Sequence, residues 1–235
     1  MKPDVLNELK RKGGVPMAIK FNEYWNVIPD RMQEYIDFMQ RSRIPTMNGL
    51  GVQVVALWSS LIGSSPQIIS EGLAIDLDHV ESALKSEEFR RTNAKLLTMV
   101  ADYRSKVMVS SNRFKELPRA CSRGTIKFSQ YWDIIPGKEA DYDHYIKNVF
   151  HPGMENLGME VRGEWYVLIG ESPHMFFESG SDTAERLLVS LKSQKFRVLK
   201  NDLLKLVCNY SSRVLVYHAC KNKTSGSNEY EFFLI

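Results

Sequence analysis

A chain of 235 residues with 43% hydrophobic and 25% charged residues has the composition of an ordinary soluble globular protein. Its formal net charge is only +3, and Lys and Arg are scattered among Asp and Glu, which argues against a nucleic-acid-binding surface. No run of about 18 apolar residues occurs and residues 1–14 are charged, so we expect no membrane span, no secretory leader and a cytoplasmic location.

Met17 to Ile28 alternates with a period of two: Ile19, Phe21, Trp25 and Val27 share one parity, and Lys20, Asn22, Tyr24 and Asn26 the other, as in a half-buried strand. Pro29-Asp30 stops it and starts a helix in which Tyr35, Phe38 and Met39 fall at helical spacing, and which Pro45 is expected to end. A long strand, Gly51 to Ile62, turns at Gly63-Ser64-Ser65-Pro66 into a third strand. Leu77 to Tyr103 reads as helix broken near Ser86, and Lys106 to Val109 as a closing strand.

The chain then repeats itself. A shift of 107 residues places Ile19-Lys20-Phe21, Tyr24-Trp25 and Ile28-Pro29 on Ile126-Lys127-Phe128, Tyr131-Trp132 and Ile135-Pro136, and holds without a gap to Val107/Val214. About 30 of about 93 aligned pairs are identical, several times the chance level. In the second copy Tyr142, Tyr145, Ile146 and Val149 form the helix stripe, Pro152 ends it, and Ala184 to Tyr210 is the long helix. We expect repeats at 15–111 and 124–218, a linker at 112–123 and a tail at 219–235 whose apolar end, Phe232-Phe233-Leu234-Ile235, docks on a surface or a partner.

Strand-helix-strand-strand-helix-strand is the ferredoxin-like βαββαβ unit. Both faces of its sheet are apolar here, so the expected fold is α+β: a tandem duplication whose two antiparallel sheets pack as an intramolecular pseudo-twofold α+β barrel. The aromatic first strand, the helix before Ile44-Pro45 or His151-Pro152, the second strand with Trp58 or Trp165, and Leu84-Lys85-Ser86 with Phe89-Arg90 resemble the dimeric α+β barrel superfamily, with its NIPSNAP-like and antibiotic-biosynthesis-monooxygenase-like members. The resemblance implies cofactor-free monooxygenases, cyclases or isomerases, haem enzymes of chlorite-dismutase type, or domains without activity; fold does not choose among them.

The polar residues kept in both copies are Lys20/Lys127, Tyr24/Tyr131, Tyr35/Tyr142 and Glu71/Glu178. Lys20 with Glu71, and Lys127 with Glu178, read as cross-strand pairs or as carboxylates shaping a pocket. The second copy alone carries Glu160, Arg162, Glu164 and Tyr166 on one parity of its second strand, where the first has Gln53, Val55, Leu57 and Ser59. His151 replaces Ile44 beside the helix-ending proline and is the one histidine placed for acid–base work near neutral pH. His144 lies about 200° around the helix from Tyr142 and should face solvent, as should His174.

The candidate site is therefore His151 as catalytic residue with Tyr24, Tyr35, Tyr131, Tyr142, Arg162 and Glu178 as ligand-binding residues, in an apolar cleft between helices and sheet. No metal-ligand spacing and no nucleophile motif occurs, so no metal and no cofactor is expected. Cys121, Cys208 and Cys220 read as reduced thiols, Cys208 as a small core residue aligned with Ala101. The expected partner is a small apolar or aromatic molecule. A haem enzyme or a non-catalytic interaction protein are the alternatives, and unpaired strand edges with the apolar tail favour a homo-oligomer.

Overall fold

The computed structural model describes residues 19–63, 67–114, 125–221 and 230–232. In the first copy β1 (Ile19–Val27) leads through α1 (Met32–Phe38), a π-helical turn (Met39–Arg43) and α2 (Ile44–Gly49) to β2 (Gln53–Ile62), β3 (Ile68–Ala74), α3 (Leu77–Lys85), α4 (Glu87–Leu97) and β4 (Val100–Ser110). The second runs β5 (Ile126–Ile134), α5 (Glu139–Tyr145), a π turn (Ile146–Phe150), α6 (His151–Glu155), β6 (Glu160–Ile169), β7 (Met175–Ser181), α7 (Ala184–Lys192), α8 (Gln194–Leu203) and β8 (Val207–Lys221). A short β9 (Tyr230–Phe232) pairs back on β8; residues 233–235 lie outside the described part.

Each copy has the split order in which its first strand lies between its third and fourth: β1 pairs β3 and β4, and β5 pairs β7 and β8. The two expected sheets are joined edge to edge. β4 pairs β6 and β8 pairs β2, so the order β2-β3-β1-β4-β6-β7-β5-β8 closes into an eight-stranded antiparallel ring. The internal twofold is visible in the register, since Val107↔Ile169 recurs as Val214↔Ile62. Closure pairs the edges on which self-association was expected to rest.

Alternation along the strands divides each copy's residues between two layers. Ile19, Phe21, Trp25 and Val27 join the helices in one core; Ile126, Phe128 and Trp132 do so in another. The opposite parity faces the ring interior, where Tyr24, Trp58 and Leu215, and Tyr131, Trp165 and Phe176, form two smaller clusters.

Three local expectations fail, each for a backbone reason. Pro45 and Pro152 do not end their helices: the chain stays helical through α2 and α6. Each proline sits in the first turn after a π turn, where the ladder is already widened and its missing N–H costs little. The π turn also shifts the helical phase, so Val149 of the expected stripe is 42% exposed and Phe150 is fully buried. Second, the long helices stop at Leu97 and Leu203, and Val100 and Val207 open strands that pair with β1 and β5. Asp102 and Asn209 there have φ of 56° and 53°, a left-handed conformation that Asp and Asn tolerate. Cys208 is consequently an exposed strand residue and not part of the core.

The third is a bulge in each second strand, between Val54 and Ala56 and between Val161 and Gly163. It reverses the parity partway along. Glu164 pairs with Phe177 and faces the helices, whereas Arg162 lies over Gly180, where a Cβ would meet its guanidinium within 2.4 Å. Glu160, Arg162, Glu164 and Tyr166 therefore do not share a face. Arg162 approaches Glu160 at 3.8 Å.

Candidate functional site

The ring interior is built from strand pairs whose register follows from the repeat. Lys20, Asn22 and Tyr24 of β1 stand opposite Met108, Lys106 and Arg104 of β4; Lys127, Ser129 and Tyr131 of β5 stand opposite Leu215, Arg213 and Ser211 of β8. At its centre the kept charges meet across the twofold. Lys20 Nζ lies 3.3 Å from Glu71 Oε1 and also donates to Glu178, while Lys127 contacts both glutamates. The lysine–glutamate pairs read within each copy thus exist, but as parts of a four-membered cluster that crosses between copies.

Trp58 Nε1 donates to Glu71 at 2.7 Å and Trp165 Nε1 to Glu178 at 2.8 Å. Lys20 Nζ lies 4.3 Å from the Trp165 ring centroid and Lys127 Nζ 4.9 Å from that of Trp58. Burial alone would raise the Glu71 carboxyl, but Lys127 and Lys20 hold it well below the usual carboxylate range. Burial alone would lower the Lys127 ammonium, but Glu178 and Glu71 raise it. Two lysines against two glutamates leave the cluster neutral, its needs met from within.

One end of the interior opens into a cleft of about 320 Å³, within the size range of small-molecule sites. Tyr24 and Tyr131 form its floor; Arg104, Lys106 and Arg213 stand around it, and the β6–β7 hairpin, Gly170 to Pro173, forms a wall. The tyrosines are 6% and 7% exposed, and neither hydroxyl has a hydrogen-bond partner. Asn22 lies beside Tyr24 and Ser129 beside Tyr131, each near enough to oppose the rise in its phenol, and the Asn22 amide and Ser129 hydroxyl have no well-formed hydrogen bond. Burial raises both phenols, Tyr131 to about 12, so they are proton donors at neutral pH.

Lys106 Nζ donates to the carbonyls of Glu171 at 2.6 Å and Pro173 at 3.0 Å. Burial, helped by Arg104 and Arg213 against Asp133 and Glu171, brings its ammonium down to about 8. A second cleft, about 300 Å³, lies between α3 and the strands beside Val107 and Ile169, and is lined mainly by Leu77, Val80 and Leu84. Its two charged residues, Glu81 and Lys85, pair with each other.

Of the expected site residues, Tyr24 and Tyr131 come together at the cleft, with Glu178 beneath them in the charge cluster. Gly180, which Arg162 covers, is the partner of Lys127, while Phe176 is the partner of Tyr131, so Arg162 lies toward the other end of β7. Tyr35 and Tyr142 lie in the helix layers, fully buried, accepting from Trp25 Nε1 at 3.2 Å and Trp132 Nε1 at 3.0 Å.

His151 is also on the helix side, stacked on Phe114 at 4.2 Å between ring centroids; burial lowers its pKa against Glu155 and Glu164. Beside it is a polar cluster in which the sequence had singled out Tyr142 and Glu164 but not Arg113. Arg113, from the expected linker, donates to Glu164 at 2.8 Å and Asp143 at 2.6 Å, and Tyr142 donates to Glu164 at 2.5 Å. Also missed were Arg104, Lys106 and Arg213. The shift pairs Lys106 with Arg213, and that kept positive charge at the start of each closing strand was the available signal. His144 and His174 are exposed. Among the described residues no group of three or more His, Cys, Asp and Glu could hold a metal ion, and no helix is long and apolar enough to cross a membrane.

No protein-family model matches the chain, and no curated protein matches it in sequence. Solved structures match its fold. A proposed monooxygenase from Fusobacterium nucleatum aligns over 94% of this chain and 100% of its own at 11% identity, with a TM-score of 0.63. An anthrone oxidase-like protein aligns over 86% and 91% at 12% identity (TM-score 0.60), and a proposed chlorite dismutase over 86% and 95% at 9% identity (TM-score 0.59). At such identities the likeness is one of fold: two ferredoxin-like units closed into one α+β barrel.

Proposed function

We propose that this α+β barrel binds a small molecule at the mouth of its ring, where the Tyr24 and Tyr131 hydroxyls donate hydrogen bonds to a carbonyl or phenolic oxygen. The observation that carries this reading is the pair of buried, unpartnered hydroxyls converging on an open cleft. An unsatisfied buried hydroxyl costs about 1–3 kcal/mol, and a ligand oxygen would satisfy both at once. A cofactor-free monooxygenase, cyclase or isomerase is the finer form of the proposal, the two phenols stabilising negative charge as it develops on that oxygen. His151 has no part in it, since it sits on the opposite side of the sheet.

The haem alternative fits the packing poorly. In the second copy the space between helices and sheet is filled by Trp132, Tyr142, Ile146, Phe150, Met154 and Phe177, all fully buried, and the His151 ring is covered by Phe114. A mixed fragment screen by NMR, reading the Tyr24 and Tyr131 ring resonances, tests the proposal. Binding should weaken about thirtyfold in Tyr24→Phe/Tyr131→Phe, the loss expected for two hydrogen bonds of about 1 kcal/mol each. Fragments that bind elsewhere, or that ignore the double variant, would turn the reading toward an interaction module.

A further inference from the structure

We infer that the ligand of the barrel mouth is an anion, a small organic carboxylate held by Arg104 and Lys106 with Arg213 behind them. The inference rests on the binding proposed for this cleft and names the class of molecule it takes.

Register places the charges. Arg104 stands opposite Tyr24 and Lys106 opposite Asn22 on β4, and Arg213 opposite Ser129 on β8, so all three share the interior face with the two tyrosines. Against these three cations the lining offers one carboxylate, Glu171, whose main-chain carbonyl is engaged by Lys106. The nearby Asp133 is turned to other work. It accepts from Ser172 at 2.5 Å, Asn209 at 2.9 Å and the His174 backbone at 2.7 Å, and these bonds outweigh burial to bring it down to about 2.

The deeper glutamates are neutralised by Lys20 and Lys127, so the interior below the cleft does not oppose an anion. A carboxylate is also the group that the tyrosines fit, since it accepts hydrogen bonds only and two donor hydroxyls lie beside it. The ammonium of Lys106 is suppressed chiefly by burial, with a smaller contribution from Arg104 and Arg213. An anion beside it reverses the effect, so binding takes up a proton above about pH 8.

Sodium benzoate and its neutral isostere benzamide, titrated into the full chain, test this. The groups facing Lys106 are Arg104, Arg213, Asp133 and Glu171, with His174 on Asp133, and the Lys106 ammonium is the cation brought down to about 8. Benzoate should bind about tenfold more tightly than benzamide at pH 7 and lose about threefold or more by pH 9.5, while benzamide stays flat. Lys106→Arg, whose guanidinium stays charged throughout this range, should abolish the pH dependence. Equal affinities for the two compounds, or a benzoate affinity indifferent to pH, would overturn the inference. A neutral fragment that reaches Tyr24 and Tyr131 where benzoate does not would overturn it while leaving the binding proposal standing. No fragment of either kind at those rings would overturn both.

Discussion

Comparison of the copies shows single residues changing task. At position 57 the first copy has Leu, buried against its helices; the equivalent Glu164 is 1% exposed and requires Arg113 and Tyr142 as partners. In return, the first copy buries Glu23 with Arg43 at 2.5 Å, where the second has Gln130 and Phe150. Each helix layer thus contains one ion pair, placed differently. Removing one partner leaves the other charged and buried, so Glu164→Ala should cost about 3–5 kcal/mol in urea unfolding. A loss below about 1 kcal/mol would mean that Arg113 finds compensation at Asp143 alone.

At the scale of elements, the closing strands show how one geometry is met twice with opposite chemistry. Asn26 donates to Asp102 at 2.8 Å in the first copy; in the second, Asn209 donates to Asp133 at 2.9 Å. Amide and carboxylate have exchanged positions, and the residue in the left-handed conformation remains Asp or Asn. A β-branched side chain cannot follow: Asn209→Val should lower stability by about 1–2 kcal/mol in strain, plus the lost bond to Asp133, read as a drop in the urea midpoint at unchanged slope.

These same strands mark where the sequence stopped being legible. The strands, the order of elements and the tyrosine pair followed from a period of two and an ungapped shift. The bulges at Val55 and Arg162, the π turns and the left-handed residues break periodicity locally and leave little trace in a hydropathy pattern. Arg104 was hidden because its strand begins inside a segment with helical spacing. The three cations of the cleft come from β4 of one copy and β8 of the other, which do not pair with each other, so no local window contains the site.

For the molecule as a whole, the charge cluster couples the halves, because Lys20 contacts Glu178 and Lys127 contacts Glu71. Lys127→Met should destabilise by about 3–5 kcal/mol. Adding Glu71→Gln should recover part of it, since the amide still accepts the Trp58 N–H; a double-mutant cycle without coupling would contradict this. The pH dependence follows from the signs. Glu71 is depressed, so its contribution is complete above its unfolded value of about 4.3 and fades as pH falls below it. Lys127 is raised, so its contribution is complete below about 10.4 and is lost as pH rises through its folded value. Lys106, being depressed, adds a small gain between about 8 and 10.4. The melting temperature should therefore stay high from about pH 5 to 10, and a collapse already at pH 6 would assign these charges a lesser part.

The seam between β2 and β8 brings Ser60 beside Leu215, about two thirds of the chain apart in sequence. Such a pairing has to wait until the segments between have organised, because the entropy of closing so long a loop is repaid only when both ends are ready. The helices can form early, but Tyr24, Lys106 and Tyr131 become one surface only at the last stitch. In a refolding experiment, helical circular dichroism should therefore return before the capacity to hold a ligand, and the interval between them would time the closing of the ring.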